Sequence, residues 1–160
     1  MYLMYRINKI LRQILAGFIP SKRWRRVFRE GYTLLYIRFL IKRLLCDKNQ
    51  KNKYFLSAVL MVKNAACYMD EWINYHKLVG VDHFYIYDNE STDNLKEVLK
   101  PYIKSGLVTY TYWKGKGQQR VIYTDALLKY MDNSKWMTFI DDDEFIVPVS
   151  QKTIPDVIKR

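Results

Sequence analysis

The chain has 160 residues, 49% of them apolar, with only 6 Gly and 4 Pro, which suits one ordinary domain plus an extension and excludes a disordered chain. Its two cysteines, Cys46 and Cys67, have neither CxxC spacing nor a neighbouring histidine, which excludes a disulfide framework or a zinc knuckle. The net charge of +11 is unevenly placed: residues 1–53 carry 14 Lys/Arg against Glu30 and Asp47, a balance of +12, whereas residues 54–160 carry 13 against 14, a balance of −1.

Basic character therefore belongs to the N-terminal third, as in an arm that meets an anionic surface. Residues 3–18 read as a helix through Ile7, Leu11, Ile14 and Phe18, and Pro20 and Ser21 break it. The block KRWRRVFR (22–29) sets Trp24 and Phe28 on one helical face, and helical spacing resumes at 33–45 through Leu34, Ile37, Ile41 and Leu44. Arg6, Lys9 and Arg12 interrupt the first apolar stretch and Arg38, Lys42 and Arg43 the second, so neither reads as a secretory leader or a bilayer span. Basic amphipathic helices with aromatics fit a segment lying on a membrane surface through residues 1–45. The competing reading is a helical cap with solvated charges. Nucleic acid has the basic block in its favour but no recognisable module, and is not an expected partner. The polar run DKNQKNK (47–53) is a linker, giving a basic arm and linker at 1–53 and a second domain at 54–160.

That second domain alternates strand and helix. Residues 55–62 form an apolar run of strand length, as expected for a strand covered on both faces. Residues 69–79 form a helix with Trp72, Tyr75 and Val79 on one face, closed by Gly80. A strand at 83–88, a turn at 89–92 and a helix at 93–103 with Leu95, Val98, Leu99 and Tyr102 as its buried stripe follow. Then come a strand at 107–113, a GKG loop at 115–117, a helix at 118–131, a strand at 136–140 and a short strand at 145–149. This order predicts an α/β fold with a mainly parallel, Rossmann-like sheet flanked by helices. Ligands of such sheets bind outside the carboxyl ends of the strands. Asn64, Asp88, Asp141 and Asp143 are expected there, after three different strands.

Asp141-Asp142-Asp143-Glu144 places four carboxylates together after an apolar strand. A divalent cation would relieve their repulsion, and carboxylate oxygens suit Mg²⁺ or Mn²⁺. In an extended segment Asp141 and Asp143 share a face and could hold one metal-diphosphate site, with Asp142 turned away. The alternative is a merely exposed acidic loop. Asp88 could accept from a ribose hydroxyl or a base imide, or simply cap the turn that follows it; Asn64 has the same two readings. His76 and His83 read as structural. There is no nucleophile-base-orienter set, GxGxxG or Walker motif, which counts against hydrolase, dehydrogenase and P-loop kinase readings.

The segments LMVKNAACYMDEWINYHKLVGVDHFYIYDNESTD, Gln119 to Tyr123 and WMTFIDDDEFI closely resemble, in order, the motifs of inverting GT-A glycosyltransferases of family-two-like and family-92-like groups, over about residues 56–149. The resemblance implies a GT-A fold, a nucleoside-diphosphate sugar donor (a UDP-sugar favoured) and Mn²⁺ or Mg²⁺. It implies Asp143 as metal ligand and Asp141 at ribose, diphosphate or metal. Asn64, Asp88, Asp93 and Gln119 fall on the donor side, with helix capping an equal account of Asp93. The arm is similar to extensions on bacterial enzymes of lipopolysaccharide or capsule synthesis at the inner face of the cytoplasmic membrane, which act on glycan or glycolipid acceptors. Two departures stand out. Ala65 replaces a usual Glu, and the chain ends at Arg160, soon after the acidic cluster. On this resemblance residues 54–160 are the first half of a GT-A domain and the catalytic base lies beyond them; Glu144 is structural or donor-side. A catalytically inactive nucleotide- or membrane-binding remnant is the alternative expectation.

Overall fold

The chain divides into two units between Asn49 and Gln50, and the computed structural model describes residues 52–159, within the second. The helices expected in the basic arm, and its membrane contact, lie outside the described residues.

The described elements are β1 (Tyr54–Val62), α1 (Ala66–Leu78), β2 (His83–Asp88), α2 (Leu95–Lys104), β3 (Val108–Tyr112), α3 (Gln119–Tyr130), β4 (Ser134–Phe139) and α4 (Ile154–Ile158). The strands form one sheet in the order β3-β2-β1-β4, and every pairing is parallel, with Val62 opposite Asp88, Val59 opposite Phe139 and Asp88 opposite Tyr112. The expected α/β fold with a parallel, helix-flanked sheet is what the structure has.

The apolar run of β1 serves two cores because successive side chains leave a strand on opposite faces. Leu56, Ala58, Leu60 and Val62 pack with Met69, Trp72 and Ile73 of α1 and with Leu95 and Leu99 of α2. Val59, with Tyr85 and Tyr87 of β2, packs on the other face against Ile122 and Ala126 of α3. Each fully buried Leu, Ile or Phe here contributes about 1.5–3 kcal/mol relative to exposure. This two-sided burial is why β1 shows no polar alternation.

α1 ends in a Schellman turn: the Gly80 N–H donates to the Lys77 carbonyl and the Val81 N–H to that of His76. Gly80 sits at φ +102, and a Cβ there would meet Pro155 Cδ at 2.6 Å. Gly80 therefore both ends α1 and lets α4 approach.

Boundaries otherwise agree within two residues, and three larger differences stand out. α1 begins at Ala66, not at residue 69, although Ala65 offers no capping side chain; the Asp93 carboxylate, from the loop after β2, accepts the Ala66 N–H at 2.9 Å instead. Residues 145–149 are irregular rather than a strand. Pro148 has no N–H to give a ladder, and the Ile146 carbonyl and N–H are already engaged by Tyr75 and His76 of α1. α4 went unread. Its signal was present: Thr153 caps it, exchanging hydrogen bonds with Asp156 three residues on, and Pro155 stands in its first turn.

Candidate functional site

The strand order reverses between β1 and β4. β1, β2 and β3 step outward in one direction, with α1 and α2 on one face, while the chain returns through α3 on the other face to place β4 beyond β1. The carboxyl rim at such a reversal is where a doubly wound sheet takes its ligand. The residues expected on that rim are there, in two separate groups.

Asn64, Asp88 and Asp93 belong to the first group, where their polar atoms tie the loops after β1 and β2 together. Asn64 Oδ1 accepts from the Thr92 N–H at 2.7 Å, and the Asn64 N–H donates to Ser91 Oγ at 3.0 Å. Asn64 has φ 56, a conformation asparagine tolerates better than most residues. Asp93 caps α1 through Ala66 and accepts from the Leu95 N–H at 3.2 Å. Asp88 is 4% exposed. Its Oδ1 accepts from the Ser91 N–H at 2.8 Å and its Oδ2 from the Tyr110 hydroxyl at 2.6 Å. Burial, and then this carboxylate, raise the Tyr110 pKa well above the ordinary tyrosine value. The loop after β3 joins the same knot: Asn89 Nδ2 donates to the Trp113 and Gly115 carbonyls at 3.1 and 2.8 Å.

The second group surrounds Asp141. Its Oδ1 accepts from the Tyr123 hydroxyl at 3.0 Å and from Gln119 Nε2 at 3.3 Å, both on the first turns of α3. Tyr123 is pushed up to about 12 by burial, with the Asp141 hydrogen bond and charge adding to it. The segment is a turn rather than extended backbone. The Glu144 N–H donates to the Asp141 carbonyl at 3.2 Å, and Glu144 Oε2 accepts from the Asp141 N–H at 3.2 Å. Strand alternation therefore does not relate Asp141 to Asp143; the turn does. Asp142 is half-buried, and burial raises its carboxyl above the usual range, with the Asp143 and Asp141 charges adding to it. Asp143 is exposed and accepts no hydrogen bond among the described residues.

Residues 56–160 match the sequence profile of Glycosyltransferase family 92. The chain belongs to glycosyltransferase family 92. A glycosyltransferase family 92 protein of Oryza sativa subsp. japonica is 32% identical over 112 residues, covering 69% of this chain and 19% of that protein. One of Ricinus communis is 34% identical over 99 residues, or 61% of this chain and 17% of that protein. A galactan beta-1,4-galactosyltransferase of Arabidopsis thaliana is 35% identical over 98 residues, or 55% of this chain and 19% of that protein. The chain thus spans under a fifth of the length of these curated relatives.

In this family-92 domain the run Glu71-Trp72-Ile73-Asn74-Tyr75-His76 has a use that helical periodicity did not reveal. Trp72, Tyr75 and His76 share one face of α1, at the i, i+3, i+4 spacing that brings side chains together. The Trp72 indole N–H reaches both the Asp141 and the Glu144 carbonyls at 3.1 Å. The Tyr75 hydroxyl donates to the Ile146 carbonyl at 3.2 Å. His76 Nδ1 lies 2.8 Å from the Trp72 carbonyl and its Nε2 3.4 Å from the Ile146 N–H. That pairing fixes a neutral ring, protonated at Nδ1 and accepting at Nε2, and burial lowers its pKa. His76 and His83 are buried, as the structural reading expects.

A divalent cation would have one way to bind here. Among the described residues no three His, Cys, Asp or Glu side chains converge on a point suited to a metal. The protein would supply Asp143 and the remaining oxygen of Asp141, and diphosphate and water the rest. Mg²⁺ is commonly held in that way, by one or two carboxylates plus substrate phosphates.

Proposed function

We propose that residues 54–160 bind the nucleoside-diphosphate sugar of an inverting glycosyltransferase, a UDP-sugar by preference, with Mn²⁺ or Mg²⁺. The observation that carries this is Asp141, oriented by Gln119 and Tyr123, beside the exposed Asp143 at the carboxyl end of β4. Asp143 and Asp141 would hold the cation. When bound, the cation stabilises the nucleoside diphosphate as it departs. Gln119 and Asp141 serve the donor directly. Asn64, Asp88 and Asp93 serve it through the loops they tie together, since their polar atoms are largely committed to backbone groups. No described residue is assigned as catalytic base.

The acceptor in this reading is a glycan or glycolipid. The arm supports a site at the inner face of the cytoplasmic membrane, with residues 1–45 on the lipid surface and bacterial lipopolysaccharide or capsule as product. The relatives found are plant proteins, some named for galactan synthesis, and a growing polysaccharide is the acceptor class shared by both contexts.

Titration calorimetry of UDP into the full chain, with and without Mn²⁺, tests the donor site. Binding that needs Mn²⁺ and drops at least about tenfold in Asp143→Ala is the expected result for loss of a metal ligand. Metal-independent binding, or an unchanged Asp143→Ala, would refute the metal role. Sugar transfer to an added glycan acceptor by this chain would exclude the inactive-remnant alternative.

A further inference from the structure

We infer that Trp72 and Tyr75 are positioning residues for the acidic turn, holding Asp141 and Asp143 ready for the cation and diphosphate from behind; this rests on the donor-site reading above. The argument begins with what the segment after β4 lacks. The Ile140 N–H donates to the Val59 carbonyl and the Ile154 N–H to the Val79 carbonyl. Over residues 141–152, among the described residues, the one backbone–backbone hydrogen bond joins Glu144 to Asp141 within the turn itself. Four consecutive carboxylates then stand on a segment that no ladder or helix holds, and their repulsion favours opening it.

α1 supplies the missing restraint. Trp72 is 0% exposed, and its indole N–H draws in the carbonyls at both ends of the turn, Asp141 and Glu144. Asp142 and Asp143 are thereby held in the bulge between two pinned points. Tyr75 fixes the exit at Ile146, and Phe145 lies edge-on to the Tyr75 ring at 5.0 Å and stacks on His76 at 5.6 Å. A fully buried donor shared between two carbonyls is hard to replace, because water does not reach the indole. The side chains bearing the charge are thus separated from those fixing their geometry, the arrangement by which groups behind a metal site set its affinity.

The test uses the full chain and compares Trp72→Phe and Tyr75→Phe, which keep a ring and lose the donor, with Tyr87→Phe. Tyr87 gives its hydroxyl to Asp125 on the α3 face and serves as a control for a lost buried hydrogen bond. Two quantities are read: hydrogen exchange at residues 142–144 without metal, and Mn²⁺-dependent UDP affinity. The expected result is faster exchange at the turn and a roughly tenfold or greater loss of affinity in Trp72→Phe and Tyr75→Phe, with Tyr87→Phe unchanged in both. Should Trp72→Phe fail to fold, Tyr75→Phe carries the test. Affinity and turn exchange equal to the parent in a folded Tyr75→Phe would overturn the clamp. So would equal losses in Tyr87→Phe, which would mark a general stability effect. If the parent chain does not bind UDP with Mn²⁺, the donor-site reading itself fails, and the inference with it.

Discussion

The loops after β1 and β2 and the acidic segment after β4 share one rim but are held in different ways. The first two hold each other. Asn64, Asp88 and Asp93 each spend side-chain oxygens on backbone N–H groups of these loops, with Asp88 buried among them. The acidic segment is held from α1 and α3, and its outermost carboxylate, Asp143, is left exposed. The comparison teaches that carboxylates on one rim need not share a role. Those engaged on both oxygens build the rim, and the exposed one is available to a ligand.

Substitutions should separate the two kinds. The largest effect is expected for Asp88→Ala, which leaves the Ser91 N–H and the Tyr110 hydroxyl without their acceptor in a buried site. Unfolding free energy from urea titration should fall by about 3 kcal/mol. A loss below 1 kcal/mol would mean that water replaces the carboxylate and that Asp88 is not structural. Asp93→Ala removes the cap that α1 takes from the neighbouring loop, and should cost about 1 kcal/mol in the same measurement; Asp93→Asn should recover part of it.

A pH titration of thermal stability sharpens the contrast further. Burial lowers His76, and burial followed by the Lys53 charge lowers His83 from its ordinary 6.5 to about 4. The unfolded chain takes up these protons near pH 6.5 and the folded chain only at lower pH. Stability from both groups is therefore complete above pH 7 and declines as pH falls from 6.5 towards 4. A melting temperature that is flat from pH 7 to 5 would contradict the neutral, engaged ring of His76. The smallest effect on stability belongs to Asp143→Ala, expected within about 0.5 kcal/mol of the parent as at other exposed sites. A loss above 1 kcal/mol would place Asp143 with the builders.

The sequence reveals this site unevenly, and the physical reason is range. β1 and β2 declare themselves because their burial on both faces requires unbroken apolar or aromatic runs. The end of α1 shows through Gly80, which sits at positive φ. The start of α1 is hidden because its cap, Asp93, comes from another loop. Trp72, Tyr75 and Val79 read as one helical face and His76 as structural, and Trp72, His76 and Val79 are buried with Tyr75 half-buried. The polar tips of Trp72, Tyr75 and His76, however, meet backbone some seventy residues later, at separations of 69 to 72. Periodicity reports which way a side chain points and not which carbonyl it meets. The motif resemblance located Gln119 and Asp141; the fold joins them directly and adds Tyr123 to the same carboxylate oxygen.

The position of β4 also bears on the order of assembly. β1, β2 and β3 pair as neighbours in sequence, so each contact closes a short loop. β4 pairs with β1 only after α1, β2, α2, β3 and α3 have intervened, and contacts of such long separation slow folding because the loop entropy is lost before the pairing is gained. The strand that carries the acidic turn is therefore expected to dock last. A chain arrested one step short of the native state would have its core around β1 to β3 and no donor site, and pulse-labelled exchange would show residues 134–144 protected last.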